Sequence, residues 1–195
     1  MTKGNLRNCI IALAIGLAAV GCEEQGGDTW KWVKNPDNIT AREDKEEKLK
    51  QKKENNLWGY VDQNDEWVFE PKFNSVSDFS YGVAEVDLLG YKAYINIEGK
   101  MIVQPNFSMT MRSFGGPMTI TGINGYECSE GKIEKINGFS EGYAAVLSGT
   151  KWGYIGKNGY FAISPQFEKA GNFVNGTARV TYQDKEGYIT LKNFD

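Results

Sequence analysis

The residue types that most often carry catalysis are scarce in this chain. The sequence has 195 residues and no histidine, which removes the commonest general base and the commonest metal ligand. The chain has three cysteines, but without a histidine none of them can be the nucleophile of a cysteine–histidine pair. The polar run 62–66 lacks the glycine and the distal glutamate of a calcium loop, and we interpret it as a hairpin turn. The sequence predicts no enzymatic activity, no metal site and no cofactor.

Aromatic side chains are the better candidates for a binding role. Trp58 and Trp152 each stand two residues before a tyrosine, and Tyr126 follows an Asn-Gly pair. Aromatic rings can stack on a sugar or anchor a partner protein, because they offer a large area and a polar edge. The alternative is that each tryptophan covers the rim of the core. Trp58, Trp152 and Tyr126 are therefore candidate partner contacts.

The two tryptophans belong to a unit that repeats along the chain. In the copy at 151–163, two aromatic and β-branched runs flank a glycine-containing turn, which predicts a β-hairpin. Counted from Tyr154, marker residues follow at offsets 11, 13, 19, 22, 24, 26 and 34, and all seven recur when counted from Tyr60. The two sets are Pro165, Phe167, Phe173, Gly176, Ala178, Val180 and Tyr188, and Pro71, Phe73, Phe79, Gly82, Ala84, Val86 and Tyr94.

A third copy, which starts at Tyr94, is interrupted. Its register holds to Phe107 and resumes at Phe139, so it carries about 26 residues beyond the regular 34. The insertion spans about 108–135, and its Asn124-Gly125 pair between strand-like residues predicts an added hairpin that turns there. Because the register resumes after the insertion, we expect the insertion to be dispensable for folding.

The pattern W-G-Y-[VI], hairpin turn, P-x-F and F-x-x-G-x-A-x-V resembles the WG-repeat family, also written KWG repeat. The resemblance covers residues 57–191. Lys92-Ala93 and Glu186-Gly187 depart from it, since they stand where the other units have Trp-Gly. A position that accepts lysine and glutamate is expected to stay partly exposed. The resemblance implies a non-catalytic binding role.

Each unit is expected to contribute three strands. Along the third strand, Ala84 and Val86 share one face and Glu85 points the other way, by the period of two. An alanine recurs at the first of these positions as Ala144 and Ala178, which predicts a close approach to a neighbouring unit. The fold class predicted is an all-β repeat domain, a twisted meander or short solenoid of about three units, over residues 57–195.

The N-terminus predicts export. Residues 1–21 combine a basic start with a short apolar run and resemble a signal peptide, and 19–22 resemble a bacterial lipobox that ends at Cys22. Cys22 is the expected lipid-attachment site; the alternative is an ordinary signal peptide. Two or more acyl chains would anchor the protein firmly. The expected location is the bacterial cell envelope, with the outer membrane as the favoured membrane.

Residues 22–56 are predicted to be a flexible, charged tether. Residues 29–33 are a stray strand or aromatics at the bilayer interface, and residues 42–54 are a solvated linker or a frayed helix. Loss of residues 1–21 would take the net charge from −3 to −5, which disfavours nucleic acid as a partner.

Taken together, the sequence predicts a lipid-anchored interaction module whose ligand is an envelope protein or a glycan. The alternatives are a purely structural envelope lipoprotein and an unrecognised hydrolase that acts on glycans. For the hydrolase, two carboxylates from different units would have to converge, and no spacing selects such a pair.

Overall fold

The chain folds into short β-strands. A computed structural model describes residues 27, 29–39, 43–44, 49–111 and 118–192. These ranges contain seventeen strands and one turn of 3-10 helix at Pro36–Asn38, and none of their helices is long and apolar enough to cross a membrane. The strands are β1 (Trp30–Val33), β2 (Lys50–Glu54), β3 (Leu57–Val61), β4 (Trp67–Phe73), β5 (Ser75–Val76), β6 (Val83–Leu88), β7 (Tyr91–Asn96), β8 (Met101–Met111), β9 (Met118–Cys128), β10 (Gly131–Ile133), β11 (Lys135–Ser140), β12 (Tyr143–Ser148), β13 (Lys151–Gly156), β14 (Phe161–Phe167), β15 (Lys169–Ala170), β16 (Ala178–Tyr182) and β17 (Lys185–Leu191).

The strands pair into four sheets, which confirms the predicted all-β repeat fold. Sheet 1 has the order β2-β3-β4, and sheet 2 has the order β10-β9-β8-β7-β6-β5. Sheet 3 has the order β11-β12-β13-β14, and sheet 4 has the order β15-β16-β17-β1. In sheets 2, 3 and 4 the third strand of one repeat pairs with the first strand of the next, as β12 does with β13. Successive repeats are therefore fastened to each other by shared backbone ladders.

Three hydrophobic clusters fill the spaces between successive sheets. The cluster between sheets 1 and 2 contains Tyr60 and Phe79, and the cluster between sheets 3 and 4 contains Tyr154 and Phe173. Between sheets 2 and 3 lies the cluster that contains Tyr94. No repeat buries its apolar face alone, so the stacking of neighbours builds the core, as in other repeat proteins.

The predicted strand faces are confirmed. Ala84 and Ala178 are each 1% exposed and face the preceding sheet, whereas Arg179 is exposed. Sheet 3 lies inside the stack, so its two faces pack into different clusters: Ala144 into the cluster toward sheet 2, and Ala145 into the cluster toward sheet 4. The recurrent alanine marks the strand face that packs against the preceding sheet.

The F-x-x-G segment is a two-residue hairpin turn that needs positive φ angles. Glu141 has φ 52° and Gly142 has φ 81°, and Asn175 and Gly176 repeat these values at 51° and 73°. Two consecutive residues with positive φ are the signature of a type I′ turn, whose twist suits antiparallel strands. Glycine recurs at the second position because a side chain is strained there.

The flexible tether predicted for residues 22–56 is wrong for two segments, although the strand considered for residues 29–33 is confirmed. β1 (Trp30–Val33) pairs with β17 and forms an outer strand of sheet 4. β2 (Lys50–Glu54) pairs with β3 along its whole length. β2 has no apolar alternation, and its lysines lie over aromatic rings instead: Lys53 Nζ is 5.4 Å from the Trp58 ring centroid, and Lys52 Nζ is 5.2 Å from that of Trp67.

The hairpin predicted to turn at Asn124-Gly125 is wrong, because Met118–Cys128 forms the single strand β9, which pairs with β8 instead. β8 and β9 pair in antiparallel register out to Met111 and Met118, so the chain reverses between these two residues. Asn124 and Gly125 lie inside β9, at a bulge where two residues oppose the single residue 106. Gly125 has φ 77°, and a Cβ there would lie 2.5 Å from the carbonyl oxygen of Ile133. Long-range pairing with β8 outweighs the local turn preference.

Candidate functional site

Trp58 and Trp152 occupy equivalent positions at the rims of two different cores. Both are half-buried, and each lies opposite a phenylalanine of the adjacent strand, Phe73 or Phe167. Trp58 packs against the cluster between sheets 1 and 2, and Trp152 packs against the cluster between sheets 3 and 4. The structure does not bring the two rings together.

Tyr126 lies in β9 within the insertion. It is half-buried against the cluster between sheets 2 and 3, opposite Pro105 on one side and Ile133 on the other. The three predicted contact residues thus pack against three different clusters and do not form a common surface. Cys22, the predicted lipid-attachment site, lies outside the described residues.

The junction of sheets 2 and 3 differs from the other two junctions. The hydroxyl of Tyr60 donates to the carbonyl oxygen of Ser77 at 2.6 Å, and that of Tyr154 donates to Gly171 at 2.8 Å, 17 residues later in both cases. The hydroxyl of Tyr94 donates instead to Glu85 Oε2 of its own sheet, at 3.0 Å. The insertion follows Tyr94, so the regular bond to the residue 17 positions later is replaced at this junction.

A groove of about 350 Å³ lies at this junction, between the turn that follows β7 and the turn that follows β13. We call it the turn groove. The side-chain amide of Asn96 donates to the carbonyl oxygen of Lys157 at 3.2 Å and ties the two turns together. Tyr160 is 50% exposed on the groove, and Lys100 Nζ lies 5.6 Å from its ring centroid. Glu98 and Asn158 add further polar groups to the wall.

The insertion supports one wall of the turn groove. Ser129, in the turn between β9 and β10, donates its N–H to the carbonyl oxygen of Gly159 at 3.1 Å. Its hydroxyl donates to the carbonyl oxygen of Asn158 at 3.3 Å. A Cβ on Gly159 would lie 2.8 Å from the Ser129 hydroxyl, so glycine allows this contact. The insertion therefore holds the Lys157–Gly159 turn, from which Tyr160 projects.

A second cavity of about 290 Å³ lies at the same junction, and we call it the acidic groove. Three carboxylates line it: Asp78, Glu85 and Glu141. Gly142 borders both grooves. Glu85 also forms an ion pair with Lys92 at 2.8 Å. Both grooves thus lie at the junction of sheets 2 and 3.

Buried phenol and thiol groups have shifted pKa values. Burial raises the pKa values of the Tyr60, Tyr94 and Tyr154 phenols, and the negative charge of Glu85 adds to the effect at Tyr94. Burial also raises the pKa of the Cys128 thiol, which lowers its thiolate fraction. No group of three metal-binding side chains occurs among the residues that the structure describes. The groove offers aromatic, amide and charged surface.

The acidic run at 62–66 is a hairpin turn, as predicted. Asp62 Oδ1 accepts the N–H groups of Asn64 and Glu66, each at 2.9 Å. The bond from Glu66 is the main reason that the pKa of Asp62 lies below its usual value. These carboxylate contacts shape the turn between β3 and β4.

Sequence reasoning missed Tyr160, Asn96 and Lys157 as site residues. One signal was available, because the residues aligned with Tyr160 in the other hairpins are Glu66 and Lys100, and a lone tyrosine at such a position is unexpected. The convergence of the two turns could not be read from the sequence, since they lie about 60 residues apart.

Comparison with known proteins agrees with the internal repeat. The WG containing repeat family matches residues 58–91 and 152–185, two segments of the same length as the repeat period. The intervening copy, with Lys92-Ala93 and the insertion, falls outside the matched segments. No curated protein and no solved structure gives a significant match. This chain therefore carries WG containing repeats at residues 58–91 and 152–185.

Proposed function

We propose that this protein is a lipid-anchored, non-catalytic module of the bacterial cell envelope that binds a glycan in the turn groove. The supporting observation is the half-exposed ring of Tyr160 in a groove that also presents Asn158, Glu98 and Lys157. A sugar ring offers one apolar face to an aromatic side chain, and its hydroxyls bond to amides and charged groups. This combination favours a glycan over an apolar ligand.

The proposed anchor would hold the domain close to the membrane. Because β1 begins at Trp30, only residues 23–29 separate Cys22 from sheet 4. Fully extended, this link spans about 28 Å. Sheet 4 would then lie near the membrane surface. A link this short suits the binding of glycans in the adjacent envelope better than the capture of distant ligands.

The glycan proposal is tested by binding of the full-length protein in detergent to immobilised envelope polysaccharides. Tyr160→Ala should weaken binding at least about tenfold, since loss of a central aromatic contact commonly costs this much. Tyr188→Ala is the matched control, because Tyr188 is 40% exposed and lies in sheet 4, outside both grooves. Equal affinity of the Tyr160→Ala variant and the wild type would contradict the proposal.

The same assay separates the alternatives. Binding to no polysaccharide and to no protein cross-linked in native membranes would favour a purely structural lipoprotein. Release of sugar that stops on substitution of one carboxylate in the acidic groove, for example Glu85→Gln, would indicate a hydrolase instead. Binding without turnover supports the proposed module.

The anchor is tested by Cys22→Ser. The variant should accumulate as unprocessed precursor and leave the detergent phase on phase separation, because no acyl chain can be attached. A mature mass and detergent partition identical to those of the wild type would contradict the lipid anchor. This outcome would leave the glycan site untouched.

A further inference from the structure

The insertion carries a two-stranded arm that projects from sheet 2. The pairing of β7 with β8 stops at Val103, and the pairing of β10 with β9 stops at Tyr126. Farther out, residues 107–111 of β8 and 118–123 of β9 pair only with each other among the strands that the structure describes. We call these two segments the arm. The arm is about 17 Å long, and both of its edges are open.

The arm lacks the charges that usually protect a strand edge. Open edges of natural sheets commonly carry lysine, because an unprotected edge pairs with another chain. The outer strand of sheet 1 follows this rule, since β2 presents Lys50, Lys52 and Lys53. The two segments of the arm, FSMTM and MTITGI, contain no charged residue, although 24% of the chain is charged. β-forming residues without charge or proline are typical of segments that pair with copies of themselves.

One face of the arm is apolar. Phe107 lies opposite Ile123 and Met109 lies opposite Ile120, so these four side chains share one face. At the base of the arm, the ring of Tyr91 packs on Phe107 with 5.7 Å between the ring centroids. Farther out, Met109 is 50% exposed. A two-stranded ribbon is at best marginally stable alone, because it cannot cover its own apolar face. A further strand beside the arm would widen this face into a larger sheet.

The open edges decide between a membrane and a protein as the partner of the arm. An open strand edge in the hydrocarbon core of a bilayer would leave N–H and C=O groups without hydrogen bonds, so lipid-exposed edges do not occur there. A strand from another protein chain satisfies the same groups by extending the ladder. A highly charged partner finds no opposite charge on the arm. These properties favour an uncharged strand.

We propose that the arms of two copies of this chain pair edge to edge, in antiparallel orientation, and form one continuous sheet across a dimer. In such a contact the side chains near the two-fold axis lie beside their own counterparts, so a charge there would repel itself. The uncharged arm meets this requirement, whereas the lysine-rich β2 does not. The net charge of −3 disfavours broader contact between two copies. The pairing does not depend on the proposed glycan site.

Sedimentation equilibrium of the full-length protein, with detergent micelles in large excess, tests the dimer. The arm is about 17 Å long and two strands wide, so it offers less than the roughly 800 Å² per partner of a standard interface. The dimer should therefore be weak. The average mass should rise from that of a monomer at about 1 μM toward twice that value at about 300 μM. A mass that stays monomeric over this range would overturn the inference.

A charge on the arm tests where the two copies meet. Met109→Lys should keep the protein monomeric at both concentrations, because the two introduced charges repel each other. Val174→Lys is the matched control, since Val174 is 60% exposed and lies between β15 and β16, and this variant should dimerise as the wild type does. Both replaced side chains are exposed, so both variants should melt within about 2 °C of the wild type. Undiminished dimerisation of Met109→Lys would overturn the arm as the contact.

Hydrogen exchange tests the pairing of the edges. The outward N–H groups of a paired edge become bonded, so amides in 107–111 or 118–123 should exchange at least about tenfold more slowly at about 300 μM than at about 1 μM. Residues 161–167 of β14, the outer strand of sheet 3, should not change. A dimer without this protection would overturn the edge pairing. Protection of dilute protein on addition of phosphatidylcholine vesicles would indicate a lipid contact and overturn it as well.

Discussion

At the scale of single residues, the glycine after each matched tryptophan is set by the backbone of the neighbouring strand. A Cβ on Gly153 would lie 2.5 Å from the carbonyl oxygen of Ile163, and one on Gly59 would lie 2.2 Å from that of Phe69. Both glycines lie at irregularities in the ladder between the two hairpin strands. In the last repeat, Gly187 instead makes room for the ring of Trp32, 2.9 Å from its added Cβ.

Gly153→Ala is predicted to destabilise the protein by about 1–3 kcal/mol, because its methyl group would collide with backbone atoms that cannot move independently. Gly156→Ala is the control in the same strand, since its nearest contact would be Asn158 Oδ1 at an ordinary 3.4 Å. Urea unfolding followed by circular dichroism measures both variants. Equal midpoints would contradict the close approach at Gly153.

The buried tyrosines predict an alkaline limit of stability. Burial raises the folded-state pKa values of Tyr60, Tyr94 and Tyr154 above the value of about 10 in the unfolded chain. A raised folded pKa contributes stability that is complete below pH 10 and is lost as the pH rises further. We expect β-structure to be lost cooperatively above about pH 10, together with a rise in tyrosinate absorbance. Tyr154→Phe should move this transition to higher pH, and full ionisation with the fold intact would contradict the prediction.

At the scale of strands, the N-terminal β1 completes the C-terminal sheet. Trp30 is fully buried in the cluster between sheets 3 and 4, with its ring centroid 5.1 Å from that of Phe167 and 5.3 Å from that of Tyr182. Its indole N–H donates to Gln166 at 3.3 Å. β1 pairs with β17 and so takes the place in sheet 4 that β14 has beside β13 in sheet 3.

Trp30→Ala is therefore predicted to cost about 3–5 kcal/mol, the usual range for removal of a large buried aromatic ring. Lys31→Ala changes the neighbouring, exposed position of the same strand and should cost less than about 0.5 kcal/mol. Thermal unfolding of both variants checks this difference. Similar melting temperatures would show that β1 is not part of the stable core.

At the scale of the whole molecule, the insertion both extends sheet 2 and completes a core. Its β10 ends in Ile133, which is fully buried in the cluster between sheets 2 and 3 with Tyr94 and Val146. The same insertion supports the turn groove through Ser129. The expectation that it is dispensable for folding therefore conflicts with the packing. The turn groove and the stability of the junction between sheets 2 and 3 therefore both depend on the insertion.

Ile133→Ala is predicted to destabilise the protein by about 2–5 kcal/mol, because it leaves a cavity between two sheets. Lys132→Ala, at the exposed neighbouring residue, should be nearly neutral. Denaturant titration distinguishes the two. If Ile133→Ala unfolds at the same urea concentration as the wild type, the insertion does not contribute to the stability of the core.

The sequence by itself determined the repeat, its turns and its strand faces. These features depend on local chemistry: the period of two separates Ala178 from Arg179, and the positive φ of the F-x-x-G turn selects glycine at Gly176. Each signal also recurs in several copies of the unit. For this reason the all-β architecture and the strand faces could be predicted before the structure was known.

The tertiary structure decided what depends on distant partners. Lys50–Glu54 has no alternation of its own and is a strand because β3 offers it a ladder. Asn124-Gly125 is a strong local turn signal that pairing with β8 overrides. The turn groove exists because Asn96 and Lys157, about 60 residues apart, meet where two sheets stack. A local pattern carries no information on which strand ends meet, since this depends on the packing of whole sheets.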